Sequence, residues 1–143
     1  MLTHTLLHPG LLAALGAAGH GSQVLVADAN YPHSTGARRR ATRVHLNLRP
    51  GLVGADDVLA TLLTAVPVEA AQVMVPDDGS PIPAHDGYRA TLGPDVSWAE
   101  LDRFAFYRAA RRRDVALVIA TGDVRLYANL LLTIGVRTPE VSP

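Results

Sequence analysis

Val115-Ala116-Leu117-Val118-Ile119-Ala120 is an unbroken apolar run of strand length, closed by the turn-prone Thr121-Gly122-Asp123. A strand with one wet face alternates polar and apolar residues, so a run apolar throughout predicts a buried strand. Upstream, Ser97-Trp98-Ala99-Glu100 has the spacing of a capping box and predicts a helix through about Arg113. Trp98, Leu101, Ala105 and Ala109 would line one side of it. Arg111-Arg112-Arg113 would fall in the last turn, where cations suit the helix dipole. Downstream, the apolar segment 127–134 reads as a further strand.

The same pattern extends toward the N-terminus. Leu11, Leu12, Leu15 and Ala18 share a helix face, opened by Pro9 and closed by Gly19. Val24-Leu25-Val26-Ala27 is a short buried strand, followed by a turn-prone stretch from Asp28 to Gly36. Arg43-Val44-His45-Leu46-Asn47-Leu48 alternates with period two and predicts a half-wet strand that Pro50-Gly51 ends. Val58, Leu59, Leu62 and Leu63 mark a helix over 56–65, capped by an Asp. Val73-Met74-Val75 is another strand, and the Pro, Gly and Asp of residues 76–94 predict a surface loop. Helices alternating with apolar strands give an α/β class: one domain with a mixed or mostly parallel sheet flanked by helices.

Composition bounds the function. A chain of 143 residues suits a single domain over 1–143, its core about 8–137. With 48% apolar and 18% charged residues, extensive disorder is not expected. Thirteen acidic residues balance thirteen basic ones, all of them Arg, which gives no general reason to expect nucleic acid or an anionic membrane as partner. The absence of Cys removes disulfides, thiolate metal sites and cysteine nucleophiles, and fits a reducing, cytoplasmic setting. No apolar run reaches the ~18 residues of a membrane span. The segment 11–18 imitates a secretory core but lacks a basic flank, so no signal peptide is expected.

Motifs for nucleotide binding are missing, and Asp77-Asp78-Gly79-Ser80 opens like a calcium loop but has Tyr88 where the last acidic ligand belongs. His4 and His8 share helical spacing without further ligands nearby. Arg38-Arg39-Arg40 with Arg43 reads as a solvated loop, phosphate contact being the other reading. Three polar clusters remain. His20 lies between Gly19 and Gly21; Asp28 directly follows a buried strand, where α/β proteins open their ligand crevice; Tyr127-Ala128-Asn129 interrupts an apolar segment. Each has a plain structural explanation, as an exposed turn His, a turn-forming Asp, and a sheet aromatic beside a satisfied amide. If residues 23–27 form a strand, His20 precedes it and Asp28 follows it.

Taken together, these clusters resemble a known family. Gly19-His20-Gly21, Val26-Ala27-Asp28-Ala29-Asn30-Tyr31-Pro32, Arg103-Phe104-Ala105-Phe106-Tyr107 and Thr121-Gly122-Asp123 with Tyr127-Ala128-Asn129 are similar, in order and spacing, to signatures of the sugar mutarotases that group D-ribose pyranase with L-fucose mutarotase. The Arg103–Tyr107 wording is that of the fucose type. Tyr-Ala-Asn is nearer the ribose type, and Asn30-Tyr31 departs from the His-Phe of fucose members. The resemblance implies an isomerase interconverting the anomers of a free monosaccharide, L-fucose or a close relative, without a cofactor or metal. It implies His20 as proton donor, Tyr127 as its partner in proton transfer, and Asp28, Arg103, Tyr127, Ala128 and Asn129 as sugar contacts. It also implies ring-shaped homo-oligomers, often decamers, with sites completed by a neighbouring subunit.

These residue types suit that chemistry. Exchanging anomers opens the hemiacetal, rotates the C1–C2 bond and recloses the ring, which needs protons moved at two oxygens. Positioned acid–base groups contribute about 10²–10⁴-fold to such steps. An imidazole, ordinarily titrating near pH ~6.5, has both forms accessible at neutrality.

Overall fold

The computed structural model describes residues 1–140. Helix α1 (Pro9–Ala17) opens with its proline at the first turn, where a missing N–H costs nothing, and His8 Nδ1 accepts the freed N–H of Gly10 at 3.0 Å. Then follow β1 (Gln23–Ala27), β2 (Thr42–His45), α2 (Ala55–Leu63), β3 (Val68–Met74), α3 (Pro83–Leu92), β4 (Ser97–Leu101), α4 (Arg103–Ala110), β5 (Val115–Ala120) and β6 (Leu130–Ile134). The six strands form one sheet in the order β2-β5-β1-β6-β3-β4. β5 runs parallel to β1 and β2, and β4 parallel to β3, whereas β6 is antiparallel to both its neighbours. The fold is a single-domain α/β sandwich around a mixed sheet.

The central strands β5, β1 and β6 are apolar except for Gln23 and Thr133, which hydrogen-bond each other, because both faces are covered. Val24 and Val26 of β1 pack with Leu59, Leu62 and Tyr88 on one side, beneath α1, α2 and α3. Leu25 and Ala27 pack with Tyr31, Phe106 and Ala110 on the other, beneath α4. Each fully buried Leu or Phe here contributes on the order of 2 kcal/mol of transfer free energy. No helix among the described residues is long and apolar enough to cross a membrane.

Three sequence expectations are corrected. The stretch read as a loop contains α3, whose Pro83 sits at the tolerated first turn and whose Ala84, His85 and Tyr88 are buried. The capping-box stretch Ser97-Trp98-Ala99-Glu100 is strand β4, held by parallel pairing to β3. The helix starts later, capped by Asp102, whose Oδ1 accepts the N–H of Ala105 at 2.9 Å, and it ends at Ala110 rather than Arg113. Finally, Tyr127, Ala128 and Asn129 precede β6 instead of belonging to it. For Ser97–Leu101 strand pairing to β3 overrode the local capping-box signal.

The Asp cap expected within the sequence of α2 is not found, because the helix begins one residue earlier, at Ala55. Gly54 makes no side-chain cap, and Asp123 Oδ2 accepts the N–H of Ala55 at 3.0 Å. The arginine loop is partly structural. Arg38 donates to the carbonyl of Arg113 at 2.8 Å and Arg43 to that of His33 at 2.8 Å, while Arg39 and Arg40 are exposed.

Candidate functional site

Topology gathers the polar clusters at one end of the sheet. β1 delivers Asp28 at its C-terminal end, and because β6 is antiparallel to β1, the residues that enter β6 arrive at that same end. Val26 pairs with Leu130, so Asp28 and Asn129 meet just beyond the ladder. Asn129 Oδ1 accepts the N–H of Asp28 at 2.7 Å, with both residues buried. β3 and β4 end on this side as well, bringing Met74 and, past the Asp102 cap, Arg103. The result is a cleft of ≈ 270 Å³ lined by Asp28, Asn30, Tyr31, Arg103, Tyr127 and Asn129 among others.

Each polar group is held in a definite state. Asp28 Oδ1 accepts the N–H of Asn30 at 3.0 Å, and the Asp28 carbonyl accepts from His33 Nε2 at 2.8 Å. Burial pushes the Asp28 carboxyl above the usual carboxylate range, against the hydrogen bonds from backbone N–H groups that favour its ionised form. With its oxygen engaged, Asn129 has its amide N–H groups left to offer a ligand of the cleft it lines. Arg103 sits at the mouth, its guanidinium 4.9 Å from the Phe104 ring centre, with no carboxylate within 4.0 Å among the described residues. Tyr31, which donates to the Gly36 carbonyl, stacks edge-on against Tyr107 at 5.4 Å and gives the cleft an aromatic floor. Phe106 of the same helix is buried in the core beneath.

Tyr127 adopts φ 59°, the left-handed region, which side chains with a Cβ disfavour. Its loop is braced from several directions. Asp123 binds Arg125 through Oδ2 at 2.7 Å, and Arg125 reaches on to Asp56. Burial opposes ionisation of Asp123, but hydrogen bonds from Arg125 and the Ala55 N–H outweigh it and hold the carboxyl below its ordinary value. Gly122 lies so close to the carbonyls of Leu52 and Arg49 that a Cβ would collide with backbone.

The structure thus brings Asp28, Arg103, Tyr127 and Asn129 together, with Ala128 buried between the last two. It does not bring His20 to them. His20 precedes β1, at the other end of the sheet, where its Nε2 lies 3.0 Å from Glu69 Oε2 and its side chain is 57% exposed. It borders a separate cavity of ≈ 310 Å³ with Ala18, Val66, Ile134 and Gly135. Met74 and Leu126 also line the main cleft and went unremarked in the sequence; Met74 ends a recognisable strand, whereas Leu126 carries no signal.

A carboxyl, an amide donor, a guanidinium and a phenol surrounding an aromatic and aliphatic floor suit a small polyhydroxylated molecule with an apolar C–H face. Comparison with known proteins agrees. The protein-family model of the RbsD / FucU transport protein family matches residues 1–137. The chain belongs to that family. Within it, a fucose mutarotase of Danio rerio is 34% identical over 148 residues, spanning 95% of this chain and 93% of that protein. A D-ribose pyranase of Paracidovorax citrulli is likewise 34% identical, over 92% of this chain and 95% of that protein. The crystal structure of a Streptococcus pneumoniae fucose mutarotase in complex with L-fucose superposes with a TM-score of 0.76 at 28% identity, covering 92% of this chain and 94% of that one. RbsD / FucU membership matches the resemblance expected from the four sequence stretches, and both named branches are represented.

Proposed function

We propose that this chain is a monosaccharide mutarotase of the L-fucose type, interconverting α and β anomers by acid–base ring opening. The observation that carries the reading is the convergence of Asp28, Arg103, Tyr127 and Asn129 on one cleft in a member of a family with both fucose and ribose enzymes. Asp28 and Asn129 bind sugar hydroxyls, with the Ala128 backbone beside them. Arg103 closes over the sugar at the mouth, and the aromatic rings take its C–H face.

His20 of another copy donates a proton to the ring oxygen as the bond from C1 to that oxygen breaks. The anomeric hydroxyl loses its proton through the Tyr127 phenol to water, leaving an open-chain aldehyde. Rotation about C1–C2 presents the other carbonyl face, and reclosure reverses both transfers. No cofactor takes part. The need for a second copy follows from His20 and the cleft lying at opposite ends of the sheet. Phe104 and Leu126, 60% and 68% exposed beside the cleft, supply an apolar rim for that copy to cover. We take the assembly to be a ring, decameric in the simplest case, acting in the cytoplasm.

Anomer exchange measured by saturation-transfer NMR tests this. Exchange of L-fucose above its spontaneous rate, lost in His20→Ala with the melting temperature unchanged, is the expected result. Spontaneous rates for fucose, ribose and their stereoisomers alike would overturn it. The Tyr127-Ala128-Asn129 wording and the Paracidovorax citrulli relative favour D-ribose as the second substrate to try. Tight calorimetric binding without exchange would mark a non-catalytic sugar-binding accessory protein instead.

A further inference from the structure

Helix α3 contributes no residue to the cleft lining, yet two of its side chains hydrogen-bond the loop that forms part of it. His85 Nε2 lies 2.9 Å from the carbonyl oxygen of Tyr127, and the Tyr88 hydroxyl donates to the carbonyl of Ala128 at 2.9 Å. The acceptor is a carbonyl, so the imidazole donates through Nε2–H. Both side chains are buried, 7% and 0% exposed, and they sit three residues apart on one face of α3. They reach the loop from the sheet face opposite α4, whereas the cleft opens on the α4 side. Two consecutive peptide carbonyls are therefore held from behind. The first belongs to the residue with the left-handed backbone, Tyr127, and directly after the second comes Asn129, whose amide oxygen accepts the N–H of Asp28. Without those bonds the loop would retain a disfavoured φ and two buried carbonyls lacking donors, which is the situation in which a segment relaxes to another conformation.

We propose that His85, seconded by Tyr88, is a positioning residue for the sugar site: it fixes the Tyr127-Ala128 backbone so that the phenol and the Asn129 amide face the substrate. This rests on the mutarotase reading. It gives α3 a role in activity that no residue of the cleft itself performs. A buried His in this position also differs from a mere core filler, because a methyl-bearing residue of equal volume could not satisfy the Tyr127 carbonyl.

The test compares His85→Gln, which keeps an N–H donor at similar reach, with His85→Leu, which does not. Exchange is measured against sugar concentration, with thermal melts for each protein, and the set is repeated in a Tyr127→Phe background. We expect His85→Leu to lower kcat/KM about 10–100-fold, the scale of a misplaced substrate-contacting group, and His85→Gln to stay within about threefold of the unaltered protein. In the Tyr127→Phe background the His85→Leu loss shrinks severalfold, because one of the two groups being positioned has gone. Where Tyr127→Phe leaves too little exchange to follow, the calorimetric affinity for L-fucose reads the same cycle. If His85→Leu fails to fold, Tyr88→Phe, which deletes one oxygen, takes its place with an expected loss of about fivefold. Full activity in a folded His85→Leu or Tyr88→Phe protein, or equal losses in both backgrounds, overturns the positioning role and leaves the mutarotase reading standing. Failure of the unaltered protein to bind or exchange any sugar overturns the reading itself and this inference with it.

Discussion

His20 and Asp28 stand at the two ends of the same strand. β1 occupies five residues between them, about 16 Å at ~3.3 Å per residue, and the strand is hydrogen-bonded on both sides, so it cannot fold back. Any chemistry using both residues on one sugar must draw them from two copies of the chain.

That geometry predicts complementation. As pure proteins, His20→Ala is expected to be inactive and Asp28→Asn strongly impaired. Dissociated, mixed and reassociated, they should regain activity, with roughly a quarter of the sites receiving both intact residues on random mixing. NMR exchange of the mixture reads this directly; a mixture as inactive as its components would place the whole site within one chain.

Asp28→Asn should trade activity for stability. Burial raises the folded-state pKa of Asp28 above its ordinary 3.8, so the ionised carboxyl opposes folding at neutral pH. Its contribution to stability is whole below the unfolded value and lost as pH rises through the folded one. The asparagine keeps the acceptor for the Asn30 N–H. It is expected to raise the melting temperature at pH 7, to raise it not at all below pH 3.8, and to cut kcat/KM about 10–100-fold through loss of a charged hydrogen bond. Melting curves at both pH values, with exchange assays, check it; a variant less stable than the original at pH 7 would contradict it.

His85 should leave its mark on the acid side. Burial holds its pKa below the ordinary 6.5, against the hydrogen bond to Tyr127, so the folded protein keeps it neutral. As pH falls through 6.5 the unfolded chain takes up the proton first, and stability that was complete above that value is lost. His85→Gln should therefore show a shallower decline in melting temperature between about pH 7 and pH 5 than the unaltered protein. Parallel slopes would show that His85 does not titrate differently in the fold.

Gly122→Ala should be costly although its change is a single methyl. The new Cβ would meet the carbonyls of Leu52 and Arg49, and backbone on both sides leaves nothing soft to yield. A loss of about 3 kcal/mol, roughly 5–10 °C in Tm, is expected. Gly16→Ala, where no heavy atom lies within 4 Å of the new Cβ, serves as the control and should be neutral or slightly stabilising.

Much of the candidate site was legible before the fold was known, because its polar residues stand where they break an apolar pattern. Asp28 stops a wholly apolar strand, and Tyr127 to Asn129 put polar groups into an apolar run. What hid α3 was composition: Pro81, Pro83, Gly87 and Gly93 read as loop punctuation. The helix is nevertheless signalled by Ala84, Tyr88 and Leu92 at i, i+4 and i+8. Its interior Gly87 faces Asp56 of α2, where a Cβ would lie 3.4 Å from the carboxylate oxygen, so close packing of the two helices rewards the small residue. Ser97 to Glu100 misled in the opposite direction, since capping-box spacing is a local preference worth little against a ladder of hydrogen bonds to β3.

The amino-acid sequence alone determined the α/β class, the doubly buried strands β1 and β5, and the polar residues Asp28, Tyr127 and Asn129 that interrupt the apolar pattern and line the cleft, because burial and polarity are written in the periodicity of side chains. Only the tertiary structure decided that β6 runs antiparallel to β1, which sets Asn129 against Asp28, and that His85 and Tyr88 hold the Tyr127 loop from behind. Both depend on pairing between segments 40 to 100 residues apart, where no local preference operates and the outcome rests on which surfaces fit.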